Sequence, residues 1–156
     1  MLIRRAEISD IPDILRLLTQ VCNVHQDIRP DIFKRDGVKY TAPDLTGLLA
    51  DDQRPVWCAV EDGCFLGYCF CQWEFSPDGS VGFARKELYI DDLCVDEAAR
   101  GKGVATALFH HVTAVAKDAG ANFITLNVWQ GNSALNFYEK MGMKPRKIVM
   151  DLPLED

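Results

Sequence analysis

The chain has 156 residues, enough for one domain with a sizeable core, and it contains no internal repeat or low-complexity tract. Its net charge of −6 argues against a nucleic-acid partner, which needs a basic field, and permits a cationic substrate; mild acidity serves solubility equally well. No apolar run is long enough to span a membrane and residues 1–5 (MLIRR) do not open a signal peptide, so no membrane partner and a cytoplasmic location are expected.

Six cysteines invite a search for disulfides or metal. None forms a C-x-x-C pair, the three histidines are remote from them in sequence, and most lie within apolar patterns, so reduced, mostly buried thiols and no metal are expected. Cys69 and Cys71 would share one strand face, but two thiols without further ligands make a poor zinc site.

In chain order, residues 2–6 read as a first strand. Ser9 or Asp10 caps a helix with Pro12 and Asp13 in its first turn, and Ile11, Ile14, Leu15, Leu18 and Cys22 form its apolar stripe. Residues 24–40 are less regular, interrupted by Pro30 and Gly37. His25 in this segment is either a group facing a substrate or an ordinary surface or helix-end histidine. A short helix is expected over residues 43–50. Residues 56–60 and 65–75 read as strands joined by a hairpin at Glu61-Asp62-Gly63, with Phe65 and Trp73 as core.

Residues 87–95 (ELYIDDLCV) read as a central strand carrying two adjacent carboxylates, Asp91 and Asp92. Strand alternation points these to opposite faces unless the strand is bulged. A helix over residues 104–119 places Val104, Leu108, Val112, Val115 and Ala119 on one face and ends at Gly120, with His110 and His111 expected in solvent. Residues 123–129 form a strand parallel to the central one, because a helix crosses between them. Asn132 caps a final helix that Gly142 ends, and residues 147–152 (KIVMDL) are expected to close the sheet.

The chemistry concentrates in residues 88–108. There a strand passes through Arg100-Gly101-Lys102-Gly103 straight into a helix. Such a loop gathers free backbone N–H groups at the positive end of the helix dipole, which makes an anion site suited to a phosphate or diphosphate. It is not a P-loop, because Lys102 is followed by Gly103 and not Ser or Thr. Nor is it the dinucleotide fingerprint: Thr106 stands where a third Gly or Ala belongs, and residues 121–128 offer no acid.

Arg100, Gly103 and Ala105 instead satisfy R-x-x-G-x-G/A, and here the chain resembles the GNAT superfamily of acetyl-CoA-dependent N-acetyltransferases. A second match lies downstream. Residues 131–143 (GNSALNFYEKMGM) are similar to the family's N-x-x-A-x-x-F/L-Y-x-x-x-G-F segment, with Met143 in place of the usual Phe. The resemblance is close from Glu87 to Met143 and weak before residue 56.

It implies an α/β fold, a mixed and twisted sheet of six or seven strands flanked by helices on both faces, forming a single N-acetyltransferase domain over residues 1–156. It implies acetyl-CoA as cosubstrate and a primary amine as acceptor. The backbone of Gly101, Lys102, Gly103, Val104 and Ala105 would hold the diphosphate, with charge from Arg100 and Lys102. The pantetheine arm would run along Leu93, Cys94 and Val95, near Asn132, and the N–H of Leu93 or Cys94 would serve as oxyanion donor. Residues 24–40 correspond to a wall of the acceptor pocket, so His25, Asp91 and Asp92 become candidate substrate contacts.

Acyl transfer to an amine also needs proton handling. An aliphatic ammonium of pKa ~10.4 cannot attack until deprotonated, and a carboxylate of pKa ~4 can bind it and pass its proton through water. Asp91 and Asp92 resemble the acidic pair at this strand position in polyamine acetyltransferases, with Asp91 narrowly preferred; a carboxylate satisfied by backbone donors is the structural alternative. The departing thiolate, from a thiol of pKa ~8.5, needs a proton donor. Tyr138 sits where the family keeps its tyrosine acid, although Ala134, Tyr138 and Met141 also form a helical core stripe. Cys94 as an acylated nucleophile has no nearby histidine in sequence. The rival readings are a non-catalytic acetyl-CoA sensor, a purely structural or interaction module, and an enzyme acting on protein N-termini or lysines. A homodimer is a possible assembly.

Overall fold

The computed structural model describes residues 1–155, and its frame is one sheet of five strands in the order β1-β2-β3-β4-β5. The strands are β1 (Leu2–Arg5), β2 (Val56–Glu61), β3 (Cys64–Ser76), β4 (Arg85–Val95) and β5 (Phe123–Leu126). The first four run antiparallel to their neighbours, and β5 lies parallel to β4 because a helix crosses between them. The β2–β3 hairpin turns at Asp62 and Gly63, both at positive φ, as a tight turn matched to strand twist requires.

Helices α1 (Ile11–Ile28) and α2 (Ala42–Leu49) cover one face of the sheet, and α3 (Val104–Asp118) and α4 (Ala134–Lys140) cover the other. The first core packs Ile14, Leu17, Leu18, Leu45 and Leu48 onto Tyr68 and Phe70. The second packs Leu108, Phe109 and Val112 onto Cys69, Cys71, Leu88 and Ile90. Truncating a fully buried leucine such as Leu108 to alanine costs about 2–5 kcal/mol. Among the described residues no helix is long and apolar enough to cross a membrane. All six cysteines are free, with Cys64 exposed and Cys22 half-buried, and the Cys69 and Cys71 sulfurs lie 3.7 Å apart on one face.

The mixed sheet with helices on both faces is as expected. The strand expected over residues 123–129 ends at Leu126, Phe109 and Ala116 take the buried places on α3 expected for Val115 and Ala119, and four further details differ. First, α1 continues through His25 to Ile28, so the irregular segment begins only at Arg29; Leu17, and not Leu15, is buried on it beside Ile14 and Leu18. Second, the described residues form five strands and not six or seven. Third, residues 147–152 form no strand and join no sheet, and Ile148, Val149 and Met150 are 80%, 86% and 84% exposed. Fourth, His111 does not face solvent with His110: its ring lies edge-on to Trp57 at 4.3 Å, and burial lowers its basicity.

The fold also contains a β-bulge. The β3–β4 register shifts between Phe70 and Cys71, so that Phe70 pairs with Asp92 while Cys71 pairs with Ile90, leaving Asp91 as the extra residue. Before it, Leu88 and Ile90 face α3; after it, Cys94 faces α1 despite the same parity. One inserted residue has turned the strand over. Gly67 fits the adjoining stretch because a Cβ there would lie 2.7 Å from the Cys94 carbonyl oxygen.

Candidate active site

The bulge decides where the two carboxylates point. Asp91 belongs to the strand before the flip and Asp92 to the strand after it, so both project to the α1 face and not to opposite ones. The pairing of β4 with β5 ends at Ile90 and Leu126, immediately before the bulge. Beyond that point the two parallel strands part, and residues 91–95 keep β3 on one side only. The gap leaves strand backbone free for an extended ligand beside the carboxylates.

The carboxylates have different surroundings. Asp91 Oδ2 receives the Lys39 ammonium at 2.6 Å and the Tyr40 hydroxyl at 3.3 Å. Burial pulls the Lys39 ammonium toward neutrality, but its hydrogen bond and attraction to Asp91 outweigh that, and its pKa is raised overall. Asp92 accepts the Tyr68 hydroxyl at 2.7 Å. It keeps some accessible surface, yet protein atoms crowd it on most sides. That burial pushes its pKa up to about 6, against the opposing pull of the Tyr68 hydrogen bond and Lys39.

Across the strand, the glycine loop opens α3. Gly101 and Gly103 both have φ of +77°, and a Cβ added to either would meet nothing within 4 Å, so the loop faces open space. Within the described residues no acceptor meets the N–H groups of Gly101, Lys102 or Gly103, and the first-turn N–H groups of α3 at Val104, Ala105 and Thr106 are free by helix geometry. Arg100 and Lys102 are exposed beside them. Room, free donors and positive charge suit a diphosphate. Leu93, Cys94 and Val95 follow the bulge on β4, where Gln20 Nε2 fixes the strand end by donating to the Val95 carbonyl at 2.9 Å. The Cys94 thiol points into the α1 core, and burial first, then Asp92, pushes its pKa up to about 12.

Tyr138 is buried on α4 against Phe109 and Phe137, and within electrostatic range of Cys69, Asp92 and Cys94. Burial raises its pKa well above that of a free phenol. The N-cap of α4 is Ser133 and not Asn132 as expected; Asn132, one residue earlier, accepts the Ala134 N–H at 2.9 Å through its side-chain oxygen. His25 lies in the last turn of α1, its ring 5.2 Å from Phe33, which in turn meets Trp129 edge-on at 5.3 Å. Burial and nearby Lys39 lower its basicity. It therefore belongs to an aromatic bridge between α1 and the loop after β5, and does not touch the carboxylates.

Sequence reasoning missed Lys39, Tyr40 and Tyr68. Lys39 and Tyr40 sit in an irregular segment, where no periodicity signals which side chains turn inward. Tyr68 was readable only as an alternating strand position. No group of three or more His, Cys, Asp or Glu among the described residues could hold a metal.

The sequence profile of the acetyltransferase (GNAT) family matches residues 18–143. The chain belongs to the GNAT acetyltransferase family. A crystal structure of a mutant BH1408 protein from Bacillus halodurans superimposes on this GNAT chain with a TM-score of 0.95 at 30% identity, covering 99% of this chain and 100% of that one. Glucosamine-6-phosphate N-acetyltransferase from Arabidopsis thaliana shares the GNAT fold at a TM-score of 0.72 and 20% identity, over 99% of this chain and 98% of that one. A human protein named spermidine/spermine N(1)-acetyltransferase-like protein 1 is 26% identical in an alignment of 148 residues that covers 90% of this chain but only 20% of that protein's length. This GNAT chain thus spans about a fifth of the curated relative it matches.

Proposed function

We propose that this chain transfers acetyl from acetyl-CoA to a primary amine, a small cationic one, by direct attack and without an acyl-enzyme. The observation that carries the proposal is the bulge at Asp91. It turns two carboxylates to one face at the point where β4 parts from β5, on the strand that leads to the glycine loop and the start of α3.

When bound, acetyl-CoA supplies the acetyl group as an activated thioester. The N–H groups of residues 101–105, with Arg100 and Lys102, grip its diphosphate. Leu93, Cys94, Val95 and Asn132 border its pantetheine arm, and the N–H of Leu93 or Cys94 stabilises negative charge on the reacting carbonyl oxygen.

Asp91 and Asp92 draw the acceptor ammonium to the α1 side. Asp91, already paired with Lys39, serves as the cation anchor, which shifts the preference for proton relay to Asp92. With its pKa near 6, Asp92 is ionised at neutral pH and is a stronger base than an ordinary carboxylate of ~4. Tyr138 stays protonated and donates to the departing thiolate. Cys94 stays a neutral thiol at physiological pH and is unsuited to act as a nucleophile. A small cationic acceptor is further supported by the human relative, whose name specifies spermidine and spermine.

The deciding experiment is an acceptor screen followed by free-thiol release, run beside calorimetry of coenzyme A binding. Thiol release with a polyamine or another small cationic amine is expected. Binding without thiol release from any amine identifies a sensor, and absence of binding overturns the proposal altogether.

A further inference from the structure

Lys39 brings a cation of the chain's own to the carboxylate pair. Its ammonium donates to Asp91 Oδ2 at 2.6 Å, and Asp92, Tyr89 and His25 all lie within reach of its charge. It is not a loose surface lysine. Thr41, two residues on, caps α2 through a reciprocal pair with Asp44, which fixes where the segment enters that helix. Tyr40, between them, stacks on Phe70 at 5.8 Å, and its hydroxyl bridges Arg54 and Asp91 at 3.3 Å to each. The Lys39 ammonium lies over the Tyr40 ring at 5.4 Å. Phe70 pairs with Asp92 across the sheet, so the bulge that turns the carboxylates also seats the tyrosine that steadies Lys39. The Lys39 side chain is 49% exposed and that of Asp91 25%, so an incoming amine can reach the pair.

We propose that Lys39 is a specificity determinant: it fills the second cation place of the acceptor site, so that the site takes an amine with one ammonium near the acetyl group and disfavours one with two. The inference rests on the acetyl-transfer reading above and narrows its substrate class. Two carboxylates on one face would otherwise suit a diamine, with one ammonium at Asp92 to react and a second, a few carbons along, at Asp91. With Lys39 in place, that second ammonium meets a like charge and finds Asp91 already paired. Two carboxylates against one resident cation leave a single charge for the acceptor to match. A monoamine and a diamine of equal length differ little in shape, so a repulsive charge distinguishes them where the fit of the pocket would not.

Thiol release with n-butylamine and with putrescine, which share a four-carbon chain, tests this on the full chain. The ratio of their kcat/KM values cancels any effect of a variant on coenzyme A binding. In the unaltered protein the ratio should favour n-butylamine. Lys39→Met keeps an unbranched stem but removes the charge, and should move the ratio toward putrescine by about tenfold, chiefly through KM. Lys39→Arg keeps the charge and should leave the ratio close to that of the unaltered protein. A ratio that Lys39→Met does not move, or that Lys39→Arg moves as far, overturns the proposal while the turnover itself upholds acetyl transfer. Release from neither of the two amines overturns it too, and release from no amine at all removes the acetyl-transfer reading with it.

Discussion

Tyr68 reaches diagonally across the β3–β4 bulge and donates its hydroxyl to Asp92 Oδ2 over 2.7 Å. That contact is the chief opposition to burial in setting the proton affinity of Asp92. A carboxylate too deeply buried would be protonated at neutral pH and useless as a base, whereas one fully solvated would bind a proton too weakly. The tyrosine keeps Asp92 between these limits, on a face it reaches only because the strand carries one extra residue.

Asp92→Asn should lower kcat by about 10²–10⁴-fold, the range typical for loss of a general base, while coenzyme A affinity stays nearly constant. In the unaltered enzyme, activity should rise with pH through about 6 as Asp92 ionises. The stability effect has the opposite sign. The folded pKa lies above the ordinary value of 3.8, so the folded state holds this proton more tightly. Its stabilising contribution is complete below about 3.8 and is lost as pH rises through about 6. Asp92→Asn should therefore raise Tm relative to the unaltered protein more at pH 7.5 than at pH 4, measured by thermal unfolding.

Tyr68→Phe removes a donor that favours ionised Asp92. A hydrogen bond to a charged group contributes about 1.5–3 kcal/mol, or roughly 1–2 pH units. The acid limb of the pH–rate profile should move upward by that amount, with little change at high pH. An unmoved limb would show that the titrating group is not Asp92.

Much of this arrangement was legible beforehand, and the unreadable parts have definite causes. The glycine loop and α3 were readable because φ > 0 and helix starts restrict residue choice. The hairpin at Asp62-Gly63 was readable for the same reason. The bulge was not, because inserting Asp91 leaves an unbroken apolar–polar text whose register is set by β3, and only pairing with Phe70 and Cys71 reveals the flip. Lys39 reached Asp91 from 52 positions away through an irregular loop, beyond any local pattern. Residues 147–152 carry a strand sequence without a strand partner in their own chain, so the local signal was sound while the pairing it implied was absent.

Gly103→Ala separates backbone geometry from space. A Cβ meets no atom within 4 Å there, so the whole cost lies in holding φ at +77°. That cost is about 1–2 kcal/mol for a residue with a side chain. If the chain keeps the turn, Tm falls accordingly; if it relaxes the turn, the N–H cradle loses its aim. In the first case coenzyme A affinity, measured by calorimetry, should be kept, and in the second it should fall, while the pH dependence set by Asp92 persists in both.

Tyr138→Phe tests the other half of proton handling. The ring stays in contact with Phe109 and Phe137, so folding should be almost unaffected. Because burial raises the phenol's pKa well above its ordinary value, the hydroxyl remains protonated across the working range and acts solely as a donor. Its loss should lower kcat by about 10²–10⁴-fold without introducing or removing a limb in the pH–rate profile. Coenzyme A affinity should be nearly unchanged, since the hydroxyl is required only when charge develops on the departing sulfur. The decrease should be larger for a thioester whose leaving thiol has a high pKa than for one whose thiolate departs unaided. Equal decreases across such a series would assign Tyr138 to positioning and leave protonation of the thiolate to water.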